Sequence, residues 1–253
     1  MIGFGLDLSG YTTNKTSLAA VVANGEVAEA VLLRRSAFST RRTTNMSVRN
    51  AVEAEAIVLK QCLSIGPVAV DIPIDLQNLL VPDQAVAIWE LTRRPIDRKL
   101  NAMPPLADRI GAPVARFSAI MRVGNFRDRL GIDLFETYPA ENLRRLEFFG
   151  NYKAQGAEKA SERDVALERL CRHLAIDGNC ASDDDLDAII CGIAAVAPDD
   201  ALAPAKDLGI DQSMLPNGFR ILKRNPFSNI VLRESDFSTW MSEMLPKLAA
   251  SSG

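Results

Sequence analysis

Three apolar runs open the chain, at residues 2–8, 17–23 and 27–33, and each has the length of a strand rather than a helix. Asn24-Gly25 separates the last two runs and is a strong hairpin signal. Residues 2–34 are therefore predicted as a three-strand antiparallel meander. Residues 47–65 then carry apolar positions at helical spacing behind a capping Ser47, and Gly66-Pro67 stops that helix. Residues 68–72 (VAVDI) read as a buried parallel strand ended by Pro73. Strand, helix and strand in that order make a right-handed crossover. Further along, the pattern predicts a short helix over 84–92, an ordered Arg- and Pro-rich loop over 93–115 and a helix over 117–130. A strand over 132–138 follows, then a helix over 139–148 begun by Pro139, and helices over 160–175 and 184–197. Residues 199–253 read as a strand pair around 219–232 and a last helix near 236–249. The expected fold class is mixed α/β: an antiparallel meander plus parallel strands, with helices on both faces. No repeat or linker interrupts the 253 residues, so a single domain is expected, with 199–253 as an extension.

Composition narrows the function classes. Hydrophobic residues make up 47% and charged residues 24%, which excludes a disordered chain. Acids number 32 against 29 basic residues, which argues against a polycation that binds nucleic acid by bulk charge. The signs segregate, however. Residues 92–129 hold nine basic residues against Asp97, Asp108 and Asp128, and residues 177–211 hold nine Asp against Lys206. Of the basic residues 21 are Arg and 8 are Lys. That bias suits a phosphate-rich partner, and it equally suits a GC-rich genome.

Cys62, Cys171, Cys180 and Cys191 form no CxxC pair and the one histidine is His173, so a structural zinc site is not expected. His173 lies in a helical RLCRHLA pattern, where a packed or surface role is expected rather than catalysis. Four scattered thiols fit a reducing cytoplasm. The first ten residues lack a basic n-region, and the longest apolar run is too short for a bilayer, so neither a signal peptide nor a membrane partner is expected.

Two acids interrupt strands that are otherwise apolar: Asp7 in GLDLSG and Asp71 in VAVDIPID. A buried charge is costly unless it is paired or bound to metal. Both acids stand at the carboxyl ends of their runs, where open α/β sheets place ligands. On adjacent parallel strands their carboxylates would be about 5 Å apart, a seat for Mg²⁺. A third contribution comes from SDDDLDAIICGIAA, residues 182–195. Ser182 caps that helix and Asp183–Asp185 suit its first turn. Asp184 and Asp187 share a face, and Asp187 stands where the helix turns apolar.

Asp7, Asp71 and a late-helix acid in this arrangement resemble the ribonuclease H-like fold. There, a first-strand Asp, a fourth-strand acid and a late-helix acid hold metal for phosphodiester hydrolysis. GLDLSG, VAVDIPIDL, RRPIDRKL, FETYPAENLRRL, Tyr152-Lys153 and DDDLDAIICGIAA follow in order over roughly residues 1–198. Together they resemble the family called domain of unknown function 429, described as predicted RNase H-like nucleases. Asp183 stands where many members have His before the Asp at 184.

The leading expectation is metal-dependent phosphodiester hydrolysis on a nucleic acid or another phosphodiester. Asp7, Asp71 and Asp187 would hold Mg²⁺ or Mn²⁺, and Asp184 would be an extra ligand. Glu136 at the end of its strand reads either as a site residue or as a helix-capping acid. Arg94, Asp97 and Arg98 read either as a phosphate clamp on a loop, with Asp97 orienting one arginine, or as a surface salt-bridge cluster. Lys153 reads as a phosphate contact or as solvated surface.

Two rivals stand beside this reading. One is an ATP-binding phosphotransferase of the actin and sugar-kinase class, because GLDLSGYTTNKTS resembles a first phosphate loop; no GxGxxG or GxxxxGK[ST] accompanies it. The other is a non-catalytic nucleic-acid or protein-binding module that works through the basic 92–129 segment. Residues 199–253 would cap the sheet or build a homodimer surface.

Overall fold

The computed structural model describes residues 1–11, 15–38, 47–76, 93–105, 107–148, 152–153, 160–180 and 182–251. Strands β1 (Ile2–Asp7), β2 (Ser17–Asn24) and β3 (Val27–Arg34) form the expected antiparallel meander. Asn24 pairs with Val27, so the β2–β3 turn is Gly25-Glu26. Gly25 has φ +62°, a left-handed value that glycine adopts without steric cost. Helix α1 (Val48–Ile65) starts where Ser47 accepts the Asn50 amide at 3.1 Å, and it leads into β4 (Val68–Val70), parallel to β1. Strand β5 (Leu134–Glu136) adds in parallel to β4.

The segment read as a loop over 93–115 is not one. It contains a short helix α2 (Pro95–Lys99) and the start of α3 (Asp108–Gly124). The dense Arg and Pro residues obscure Val114, Phe117 and Ile120, which are buried on one helical face. The helix tolerates Pro113 inside it. Helices α4 (Pro139–Arg145) and α5 (Ala160–His173) follow, and Pro139 takes the first helical position. After the two-residue strand β6 (Ile176–Asp177), helix α6 (Asp183–Val196) begins at the capping Ser182. Beyond a short α7 (Ala205–Leu208), no strand pair forms around 219–232. Phe219 bridges Glu136 and Leu222 bridges Leu202. The strand there is β7 (Asn229–Asp236), which bonds in parallel to β3 and β6 and runs directly into α8 (Phe237–Ser251). The free edge of β3 thus takes the hydrogen bonds that a local hairpin partner would have taken. The short helix expected over 84–92 lies outside the described residues.

The sheet order is β5-β4-β1-β2-β3-β7-β6. Its β3-β2-β1-β4-β5 portion, in which only β2 runs against its neighbours, is an RNase H-like sheet. Alternation along the strands gives each face its own core. Ala19, Val21, Ala30 and Leu32 pack beneath α5 and α6. Phe4, Leu6, Leu18, Val31 and Leu33 pack against α1, α3 and α8, with Trp240 edge-on to Phe4 at 5.6 Å. All four cysteines are buried and free. His173 is exposed, with Nε2 against the Leu146 carbonyl. Among the described residues no helix is long and apolar enough to cross a membrane.

Candidate active site at the strand ends

The acids come together through backbone geometry. Parallel pairing sets Leu6 opposite Val70, and the Asp71 amide donates to the Leu6 carbonyl at 2.9 Å. Asp7 and Asp71 therefore leave neighbouring strands at the same carboxyl edge. Helix α6 reaches them because it lies directly on β1. A Cβ on Gly5 would run into the Ala188 carbonyl and the Gly192 amide. This close crossing carries the first turns of α6 over the strand end. Asp187 there is fully buried, and Asp184, one turn earlier, is half-buried.

The acid run of α6 divides by task. Asp185 accepts from Arg34 Nη1 at 2.6 Å and Nη2 at 2.8 Å and from the Ser17 hydroxyl. It pins α6 to β2 and β3, and the Arg34 hydrogen bonds hold its carboxyl below the usual range even though burial acts against this. Asp187 faces the other way. Its Oδ1 accepts from the Tyr152 hydroxyl at 2.8 Å, while the Lys153 ammonium meets Oδ2 without hydrogen-bond geometry.

Burial raises the site acids, and their like charges add to it. Asp7 is pushed well up by burial and then by Asp187 and Asp71. Asp71 rises to about 7, through burial first; Lys153 offsets part of this, and Asp187 and Glu136 add to it. Asp184 rises to about 6 through burial and Asp183. Burial also raises Asp187, against the pull of Lys153 and Tyr152. Lys153 is exposed, as a surface lysine would be, and its ammonium is ion-paired with the acid cluster at Asp187.

Glu136 lies at the end of β5, opposite Val70, and is fully buried. Its carboxylate is committed: it accepts from Arg94 Nη1 at 2.9 Å, from Nη2 at 2.5 Å and from the Ile74 amide at 2.8 Å. Arg94 also binds both oxygens of Asp97 at 2.9 Å and the Asp75 carbonyl at 2.9 Å. The Tyr138 hydroxyl donates to Asp97 at 2.7 Å. Arg94 and Asp97 are fully buried, so this pair is neither a phosphate clamp nor a surface salt bridge. It is an internal ion cluster that caps α2 and ties the segment after β4 to the end of β5. Arg98, at the end of α2, is exposed.

A second buried ion pair escaped the sequence reading. Arg116 on α3 binds Glu55 on α1 at 2.7 Å. It also donates to the Ser9 carbonyl at 2.7 Å and to Thr16 Oγ1 at 2.9 Å, holding both ends of the loop that follows Asp7. Burial lowers Arg116 to about 10. The signal was available: Glu55 shares a helical face with Ala51, Val52, Ala56, Leu59 and Cys62, where a lone acid demands a partner.

Several carboxylates, hard oxygen donors, suit Mg²⁺ or Mn²⁺. Asp187 Oδ2 is buried and makes no hydrogen bond, but it already faces the Lys153 ammonium. Among the described residues no group of three acid, His or Cys side chains is arranged to hold one ion, and the Lys153 ammonium stands at Asp187 instead. The donor chemistry fits a divalent ion, while this arrangement carries a lysine.

No family model matches the chain, and no curated protein sequence matches it. Among solved structures it is similar to the Thermus thermophilus RuvC structure. That pairing has a TM-score of 0.37 and 12% identity over 76% of this chain and 91% of that one. A likeness of that size carries no argument about activity.

Proposed function

We propose that the chain is a divalent-metal-dependent phosphodiesterase acting on nucleic-acid strands, and a divergent relative of the domain of unknown function 429 family. Asp7, Asp71 and Asp187 hold Mg²⁺ or Mn²⁺, and Asp184 lends a further carboxylate. The observation that carries this reading is the gathering of these acids at one sheet edge, each raised by burial or by its neighbours. Such a cluster favours a cation. A bound divalent ion would supply charge stabilisation at the phosphate and an activated water. The chain's own residues orient the site. Tyr152 fixes Asp187, Arg116 holds the loop after Asp7, and Glu136 with Arg94 holds the segment after Asp71. Titration calorimetry with Mn²⁺ tests this, alongside cleavage of labelled DNA and RNA oligonucleotides. Binding and cleavage are expected, and both are lost in Asp7→Asn; a wild-type protein that binds no divalent ion overturns the reading.

Lys153 favours a second reading, in which its ammonium replaces the metal and the chain binds nucleic acid without cutting it. Strand binding that is steeply salt-dependent and indifferent to chelator would select it.

A further inference from the structure

A cavity of about 270 Å³ opens beside the acid cluster, with Asp71 and Lys153 on one wall. Leu100 and Met103 after α2, Ile110 on α3 and the ring of Tyr138 make most of the rest, so the lining is largely apolar. Asn101, Glu141 and Arg144 add polar groups. The volume falls just below the range of about 300–1,000 Å³ that accepts drug-sized ligands. It suits one flat heterocycle and excludes a duplex.

The buried ion cluster builds this cavity. Asp97 takes the Tyr138 hydroxyl through its side chain and the Ala102 amide, at 2.8 Å, through its carbonyl. Arg94 anchors Asp97 to Glu136 at the end of β5. Asn101 has φ +51°, a left-handed value that asparagine tolerates, and turns the chain so that residues 100–103 form a wall. The RRPIDR motif therefore shapes a pocket next to the acids rather than grasping a phosphate itself.

We propose that this cavity receives one unstacked nucleobase of the strand being cut, adjacent to the scissile phosphate. The substrate is then single-stranded or carries a displaced nucleotide, since a base inside a duplex cannot enter. Tyr138 and Met103 offer apolar surface to the base face, and the Asn101 amide offers both a donor and an acceptor to its edge. Glu141 on the cavity wall pairs with both Arg144 and Arg145, so this side keeps one net positive charge for the phosphate of that nucleotide. The assignment of substrate class rests on the phosphodiesterase reading; the base pocket stands on its own geometry.

The test uses the full chain with Mg²⁺ and three probes: adenosine 5′-monophosphate, uridine 5′-monophosphate and ribose 5-phosphate, which lacks the base. Calorimetry should show the nucleotides binding about tenfold or more tighter than ribose 5-phosphate. Met103→Trp and Ala140→Phe fill the cavity from different elements at side chains that are not buried. Each should weaken nucleotide binding about tenfold or more while leaving Mn²⁺ affinity and melting temperature unchanged. A labelled single strand should be cut at least about tenfold faster than its duplex. Equal affinity for ribose 5-phosphate, variants that bind nucleotide like the wild type, or equal cutting of duplex and single strand would each overturn the pocket assignment. Nucleotide binding of the expected kind with no cleavage supports the pocket and sinks the phosphodiesterase reading alone.

Discussion

Gly5 of β1 and Gly192 of α6 meet backbone to backbone: a Cβ on Gly192 would stand 3.4 Å from the Gly5 nitrogen and 2.6 Å from Val21 Cγ2. The depth at which Asp187 reaches the strand ends depends on this crossing. Gly5→Ala would press on rigid helix backbone, so we expect a loss of about 3 kcal/mol or more. Gly192→Ala presses on the Val21 side chain and meets the strand backbone only at ordinary contact distance. Its overpacking cost of about 1–3 kcal/mol is offset by about 1 kcal/mol of helix propensity. Thermal denaturation should rank the two variants in that order, and an equal effect would show that the crossing is looser than the geometry requires.

Asp71 at about 7 and Asp184 at about 6 set a pH dependence. Unfolded, both titrate near 3.9. Between that value and the folded one, the native state holds protons that the unfolded chain lacks. Metal-free stability should therefore fall as pH rises from about 4 to 7, by about 4 kcal/mol through Asp71 and by less through the more exposed Asp184. Saturating Mg²⁺ should flatten this slope, because bound ions favour the ionised carboxylates. Chemical denaturation at several pH values, with and without chelator, checks both points.

Lys153 competes with any metal for Asp187. Replacing it by Met should raise Mn²⁺ affinity several-fold in calorimetry, on the order of 1 kcal/mol. Reduced affinity would mean that the ammonium helps to assemble the site.

Arg94→Ala leaves Glu136 and Asp97 buried without their cation. Removing one partner of a buried pair costs about 3–5 kcal/mol. Denaturant unfolding should show that loss even in the absence of nucleic acid, and Arg94→Lys should recover only part of it, since the ammonium lacks the two-pronged fork. A variant of wild-type stability with weakened strand binding would restore the clamp reading.

Asp185→Asn should destabilise at pH 7 by about 1–3 kcal/mol, since it unties α6 from Arg34 and Ser17. The Asp185 carboxyl lies below its usual value. Its contribution is therefore complete above about pH 4 and lost as pH falls through the folded value. The gap between variant and wild type should close in acid, as measured by denaturation from pH 7 downward.

Strand ends and helix caps were legible because they are local. Asp7 and Asp71 mark the carboxyl ends of their strands by interrupting apolar runs, and Ser47, Pro139 and Ser182 mark helix starts. The start of α3 was hidden because its buried face is diluted by Arg and Pro. Strand β7 was misplaced because its partner, β3, lies some two hundred residues earlier.

The sequence by itself determined the class of sheet, the edge at which Asp7, Asp71 and Asp187 gather, and the oxygen-rich chemistry of that edge. Only the tertiary structure decided which charge belongs to which partner. Arg94 binds Glu136 across 42 positions, Arg116 binds Glu55 across 61, and Arg34 binds Asp185 across 151. Periodicity records which face a residue takes, through local backbone geometry. The partner of a buried charge is set by how distant elements stack, and no local pattern carries that information.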